Sequence, residues 1–121
     1  MKDASGHVRC DNGAATAKIR LRRQVAGTLD AGARVLDLFA GEGLMYRAVW
    51  HRFDGACLDW DADKARAAAE ERQTWATYRS DAERALYGGW MRTARFDLVD
   101  IDAYGSPWPY VAAWFLSRRS R

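Results

Sequence analysis

Cysteine and proline are nearly missing from this chain, with two of each in 121 residues. Cys10 and Cys57 are too few and too far apart for a disulfide framework, so reduced thiols are expected. His7 and Cys10 have the H-x-x-C spacing of metal ligands. Only His51 and Cys57 remain to complete a site of four nitrogen and sulfur donors, and no metal is expected. Pro107 and Pro109 share one short loop, so no proline-rich linker divides the chain. Lysine is scarce as well: the 19 basic residues are almost all Arg, and against 16 acidic ones they leave +3. That balance is too mild to demand a polyanion partner. No apolar run nears the roughly 20 residues of a membrane span; the longest is Tyr110 to Leu116. The opening Met1-Lys2-Asp3 lacks the apolar stretch of a secretory signal. A cytoplasmic protein with no membrane contact is expected.

Apolar residues are not scarce, at 49% beside 29% charged, so one packed domain over residues 1 to 121 is the expected organisation. Ala14 to Leu29 has helical composition and carries Lys18, Arg20, Arg22 and Arg23 around Ile19, Leu21 and Val25. Ala33 to Phe39 is a short apolar run between glycines, the pattern of a strand buried on both faces. Leu44 to Phe53 reads as helix. Gly55 to Trp60 predicts a second strand, and Asp61 to Gln73 a helix with Asp61 at its N-cap. Ala76 to Arg79 predicts a third strand. Ser80 and Glu83 have capping-box spacing and open a helix expected to reach about Trp90, with Gly88-Gly89 at its end. Phe96 to Ile101 predicts a fourth strand, and Pro109 to Ser117 a last helix. Strands separated by helices require crossover connections, which makes the sheet parallel. The fold class is α/β, a doubly wound Rossmann-like sheet.

Ligands of such sheets bind outside the carboxyl ends of the strands, where the strand order reverses. There the sequence places Asp37, then the turn Phe39-Ala40-Gly41-Glu42-Gly43. Glycines at 41 and 43 permit positive φ and leave backbone open to a ligand. A tight turn with nothing bound is the alternative reading. Asp59, about twenty positions after Asp37, closes the second strand, where a carboxylate accepts hydrogen bonds from both hydroxyls of a ribose. Trp60 is a candidate to lie against adenine, core packing being its alternative. The third glycine of a dinucleotide turn is replaced by Tyr46, which disfavours NAD, and no G-K-[ST] follows for a triphosphate. A nucleoside carrying an amino acid fits better.

Val35 to Gly43 resembles the first motif of class I S-adenosylmethionine-dependent methyltransferases, and Cys57-Leu58-Asp59-Trp60-Asp61 resembles their second. Ser80-Asp81-Ala82 is similar to the third, whose Asp contacts the adenine amino group. Asp81 also suits a helix N-terminus. Phe96 to Pro107 is similar to the D-x-D-P-F-G-S-P signature of the tRNA guanine N2-dimethyltransferase family, with Ala103 in place of Pro and Tyr104 in place of Phe.

The resemblance implies S-adenosyl-L-methionine as cofactor, held by Asp37, Phe39, Ala40, Gly41, Glu42, Gly43, Asp59, Trp60, Asp81 and Ala82. It implies an RNA substrate, with tRNA as the candidate. Asp37 is expected to organise the glycine turn and help hold the methionine ammonium. Asp102 is expected to accept a hydrogen bond from an exocyclic amine, and Tyr104 to stack on a flipped base. Their alternatives are a loop carboxylate facing water and a tyrosine covering the sheet end. Lys18, Arg20, Arg22 and Arg23 are candidates for phosphate contacts, or form a solvated helix face. The family's sheet has seven strands and this sequence accounts for four, so the fourth is expected at an open edge. A missing C-terminal segment or a partner chain would pair with it, and a truncated or noncatalytic nucleoside-binding module is the alternative function.

Overall fold

The computed structural model describes residues 12–88 and 94–117. Helix α1 (Asn12–Ala26) leads into β1 (Arg34–Asp37), α2 (Leu44–Ala48), a 3-10 turn at Trp50–Arg52 and β2 (Asp54–Asp59). Then follow α3 (Ala62–Glu71), β3 (Ala76–Arg79), α4 (Ala82–Tyr87), β4 (Leu98–Asp100) and α5 (Trp108–Ser117). All strand pairs are parallel, in the order β3-β2-β1-β4. The chain steps outward from β1 to β3 and then returns to place β4 on the far side of β1. The switch point therefore lies between β1 and β4, beside the turn that follows β1. Among the described strands β4 stands at an edge, as expected.

Two apolar layers cover the sheet, because alternate residues of each strand face opposite sides. Val35, Cys57 and Leu98 face a core shared with Ala26, Trp50, Phe53, Ala68 and Trp75. Leu36, Leu38, Ala56, Leu58, Val99 and Ile101 face the other, filled by Ala82, Ala85, Leu86 and Ala113. Both faces of β1 and β2 are thus buried, which explains their unbroken apolar runs. Gly55 is obligatory, since a Cβ there would collide with the Val35 carbonyl and the Trp75 ring.

Several element boundaries differ from expectation, three of them with a clear physical cause or consequence. The helix expected over Leu44 to Phe53 breaks at Val49 (φ −136°, ψ −57°), and the 3-10 turn after it carries the buried Trp50. The cap of α4 is Asp81, whose carboxylate accepts the Arg84 N–H, while Ser80 Oγ donates to the Asp81 carbonyl. Asp is as good a cap as Ser, and it wins here by standing next to the helix. Helix α4 stops at Tyr87 with Gly88 as C-cap; Gly89 and Trp90 lie outside the described residues, as do His7 and Cys10. On α5, Trp114 packs towards Phe96, but Phe115 and Leu116 are exposed. Among the described residues no helix is long and apolar enough to cross a membrane.

Candidate functional site

The turn after β1 takes its shape from glycine. Gly41 (φ 52°) and Gly43 (φ 80°) both occupy the left-handed region, which costs other residues strain. The carboxylate of Asp59 points at this bend: Oδ2 accepts the Gly41 N–H at 2.9 Å, and Oδ1 accepts the Asp61 N–H at 3.0 Å. Each oxygen keeps a second lone pair for a further donor. Trp60, the next residue, is 75% exposed, so its ring is available at the surface and the core-packing alternative does not hold.

Behind the turn lies a group that the sequence reading missed. Arg72 is completely buried, and its Nη1 donates to Asp37 Oδ2 at 3.0 Å while Nη2 donates to the Ala40 carbonyl at 3.3 Å. Its guanidinium lies over Tyr46 (4.7 Å) and Trp75 (5.5 Å), contacts that favour Arg over Lys. Nε alone has no hydrogen-bond partner. Asp37 uses its other oxygen to accept the Phe39 N–H at 3.1 Å. Burial pushes the Asp37 carboxyl up to about 7; Arg72 opposes the shift and the neighbouring Asp100 adds to it. Asp37 therefore meets the turn from the interior, through its bond to the Phe39 N–H. Its carboxylate is committed to Arg72 and the Phe39 N–H, away from solvent, so the expected contact with an ammonium group would have to compete with a guanidinium.

The two glycines have different surroundings. A Cβ on Gly41 would meet only the Phe39 carbonyl at 3.8 Å, whereas one on Gly43 would strike the side chains of Glu71 and Arg47. Arg47 Nη1 donates to Glu71 Oε2 at 2.7 Å and to the Glu42 carbonyl at 2.9 Å. The missing side chain of Gly43 thus makes room for this strap, and the open approach is at Gly41. A cleft of about 260 Å³ between the turn and α3 is walled by Gly41, Glu42, Gly43, Lys64 and Glu71 among others; Asp59 and Trp60 lie outside it. Phe39 stacks edge-on to Tyr110 at 4.9 Å, and Ala40 is buried with its N–H on the Leu58 carbonyl. Both shape the turn by packing and backbone bonds.

Of the third candidate pair, Asp81 spends one oxygen as the α4 cap. The Ala82 side chain is buried in the second core, leaving only its backbone for any ligand.

At the end of β4, Asp100 is buried and pairs in register with Asp37. Arg22 grips it as a fork, Nε to Oδ2 and Nη2 to Oδ1, both at 2.7 Å. Trp50 Nε1 adds a third bond at 2.8 Å. The bond to Asp100 raises the Arg22 pKa despite burial. Asp102, two residues on, accepts from Lys18 Nζ at 2.7 Å and lies 3.9 Å from Arg22. Lys18 and Arg22, two of the four cations offered for phosphate contacts, are therefore engaged with the loop after β4 and with the end of β4 itself; Arg20 and Arg23 are exposed. Asp102 is partly buried and paired, so its water-facing alternative is also only partly met. Tyr104 is 84% exposed and does not cover the sheet end. The signal for Arg22 and Arg72 was the presence of Asp37 and Asp100 inside apolar runs, since a buried carboxylate requires a cation or several donors.

No protein-family profile and no curated protein matches this chain. Among solved structures it is similar to a conserved hypothetical protein of Streptococcus pyogenes, with TM-score 0.63 and 23% identity over 78% of this chain and 64% of that one. It is also similar to a provisionally assigned RNA methyltransferase of Pyrococcus horikoshii, with TM-score 0.58 and 18% identity over 88% of this chain and 56% of that one. The chain thus spans less than two thirds of either neighbour's length. At these identities the likeness establishes the fold: a parallel, Rossmann-like α/β sheet of the kind found in that methyltransferase.

Proposed function

We propose that this chain is an S-adenosylmethionine-dependent methyltransferase domain acting on an amine of a nucleic-acid base, with tRNA guanine as the substrate implied by the Asp100 to Pro107 motif. One observation carries the reading: the Asp59 carboxylate bonds the open glycine of the turn at the switch point and stands beside an exposed indole. That arrangement fits an adenosyl group. Asp59 accepts the ribose hydroxyls, Trp60 lies along adenine, and Asp81 with the Ala82 backbone borders the ring. The amino-acid tail approaches the backbone at Gly41. The RNA methyltransferase among the fold's neighbours supports the same reading.

When bound, S-adenosylmethionine would be held by Asp59, Trp60, Asp81 and the backbone at Gly41 and Ala82, and would supply an electrophilic methyl group with a neutral thioether as its leaving group. Asp102 accepts a hydrogen bond from the base amine, aims its lone pair, and receives the proton that the methylated nitrogen releases. Tyr104 stacks on the base. Alignment of this kind contributes roughly 7–11 kcal/mol in favourable cases. Arg20 and Arg23 are exposed on α1 for phosphate contacts.

Calorimetry with S-adenosylhomocysteine is expected to show binding that Asp59→Ala abolishes or severely weakens. Labelled cofactor is expected to transfer methyl to total tRNA. A folded chain that binds neither S-adenosylhomocysteine nor S-adenosylmethionine would overturn the reading. A second reading, nucleoside binding without transfer, is favoured by the edge position of β4 among the described strands, where a partner chain or further segment would supply the next strand. Cofactor binding without methyl transfer to any tRNA selects it.

A further inference from the structure

We infer that Lys18 is a positioning residue for Asp102: from α1 it holds one carboxylate oxygen and leaves the other open to a substrate amine. This rests on the methyl-transfer reading above and adds to it an element, the first helix, that the cofactor motifs do not include.

The geometry is asymmetric. Lys18 Nζ lies 2.7 Å from Asp102 Oδ1, while the nearest other cation, Arg22 Nη2, is 3.9 Å from Oδ2, beyond hydrogen-bond reach. Arg22 is not spare, because its Nε and Nη2 are both committed to Asp100. Among the described residues, Lys18 is thus the side chain that hydrogen-bonds Asp102, with Arg22 acting on it only as a more distant charge. Its base is firm: Ile19 packs against the first core and Arg22 anchors the next turn of α1 to the buried Asp100. Asp102, by contrast, opens a loop without regular structure, with a left-handed Gly105 (φ 89°) and an exposed Tyr104. A carboxylate on such a loop would otherwise sample several rotamers.

Stability does not account for the pair. The Lys18 and Asp102 side chains are 45% and 30% exposed, and exposed ion pairs contribute little to folding. What the contact does supply is a fixed direction for Oδ2 at the carboxyl end of β4. Misplacing a reacting group by about 1 Å can cost on the order of 100-fold in rate.

The test compares Lys18→Met, which keeps the stem and removes the charge, with Lys18→Arg in the full chain. Labelled S-adenosylmethionine and total tRNA report transfer, calorimetry with S-adenosylhomocysteine reports cofactor affinity, and hydrogen exchange reports the amides of residues 103–106. Lys18→Met is expected to lower kcat roughly 10- to 100-fold, to leave cofactor affinity unchanged, to shift the melting temperature by a few degrees at most, and to speed exchange in the loop. Lys18→Arg is expected to restore most of the rate. An unchanged or raised kcat in Lys18→Met overturns the inference, as does a fall in cofactor affinity that accounts for the whole loss. The exchange measurement needs no methyl acceptor. If the wild-type chain transfers no methyl at all, the proposed function fails, and unaltered loop exchange in Lys18→Met would still overturn the role given to Lys18.

Discussion

Two rows of carboxylates cross the end of this sheet one pleat apart, and they live under different rules. Asp37 and Asp100 are register partners on β1 and β4, both buried, each bound by one arginine, Arg72 just past α3 and Arg22 on α1. Asp59 and Asp102 stand further along β2 and the strand-end loop, where solvent reaches them and their oxygens are only partly committed. The inner row cannot exchange its partners for a ligand without leaving an arginine uncompensated in the core. The outer row can. Identical side chains thus divide into scaffold and candidate site by depth alone.

Breaking the inner row should give the largest effects. Asp100→Ala strands Arg22 and the Trp50 indole N–H, and is expected to cost about 3–5 kcal/mol by chemical denaturation, the usual loss for removing one partner of a buried pair. Asp37→Asn probes the same row through pH. Its carboxyl is raised to about 7 in the folded state from 3.8, so the folded chain binds this proton more tightly than the unfolded one. The contribution is full below about pH 4 and is lost as pH rises through 7. The urea midpoint of the wild type relative to Asp37→Asn should therefore fall between pH 4 and 7; a relative rise would show that Arg72 outweighs burial.

Breaking the outer row should alter binding more than folding. Asp59→Ala removes hydrogen bonds to a charged group, each worth roughly 1.5–3 kcal/mol, so S-adenosylhomocysteine affinity should drop at least tenfold in calorimetry. Its denaturation midpoint should move far less than that of Asp100→Ala. The smallest effect on stability belongs to Lys18→Met, expected at about 1 kcal/mol or less by denaturation. A loss as large as that of Asp100→Ala would erase the distinction between the rows.

Much of this was legible in residue order. Apolar runs bounded by glycine mark β1 and β2, and alternation with helices implies the parallel order around them. Asp59 was identifiable because a carboxylate closing a buried strand next to a glycine turn has few purely structural uses. Lys18 and Arg22 were harder. On a helix with Arg20 and Arg23 they read as one basic stripe, and only packing reveals that two of the four turn towards the sheet. Arg72 had still less signal, lying just past an Ala-rich helix of otherwise exposed charge.

The sequence by itself determined the layers, the strand direction and the glycine bend, because periodicity, crossover geometry and positive φ are local or nearly local constraints. Only the tertiary structure decided which cation meets which carboxylate. Partners 35 to 84 residues apart in the chain are chosen by the packing of α1 and α3 against one sheet face, and burial then sets which of those pairs is fixed and which stays open to a ligand.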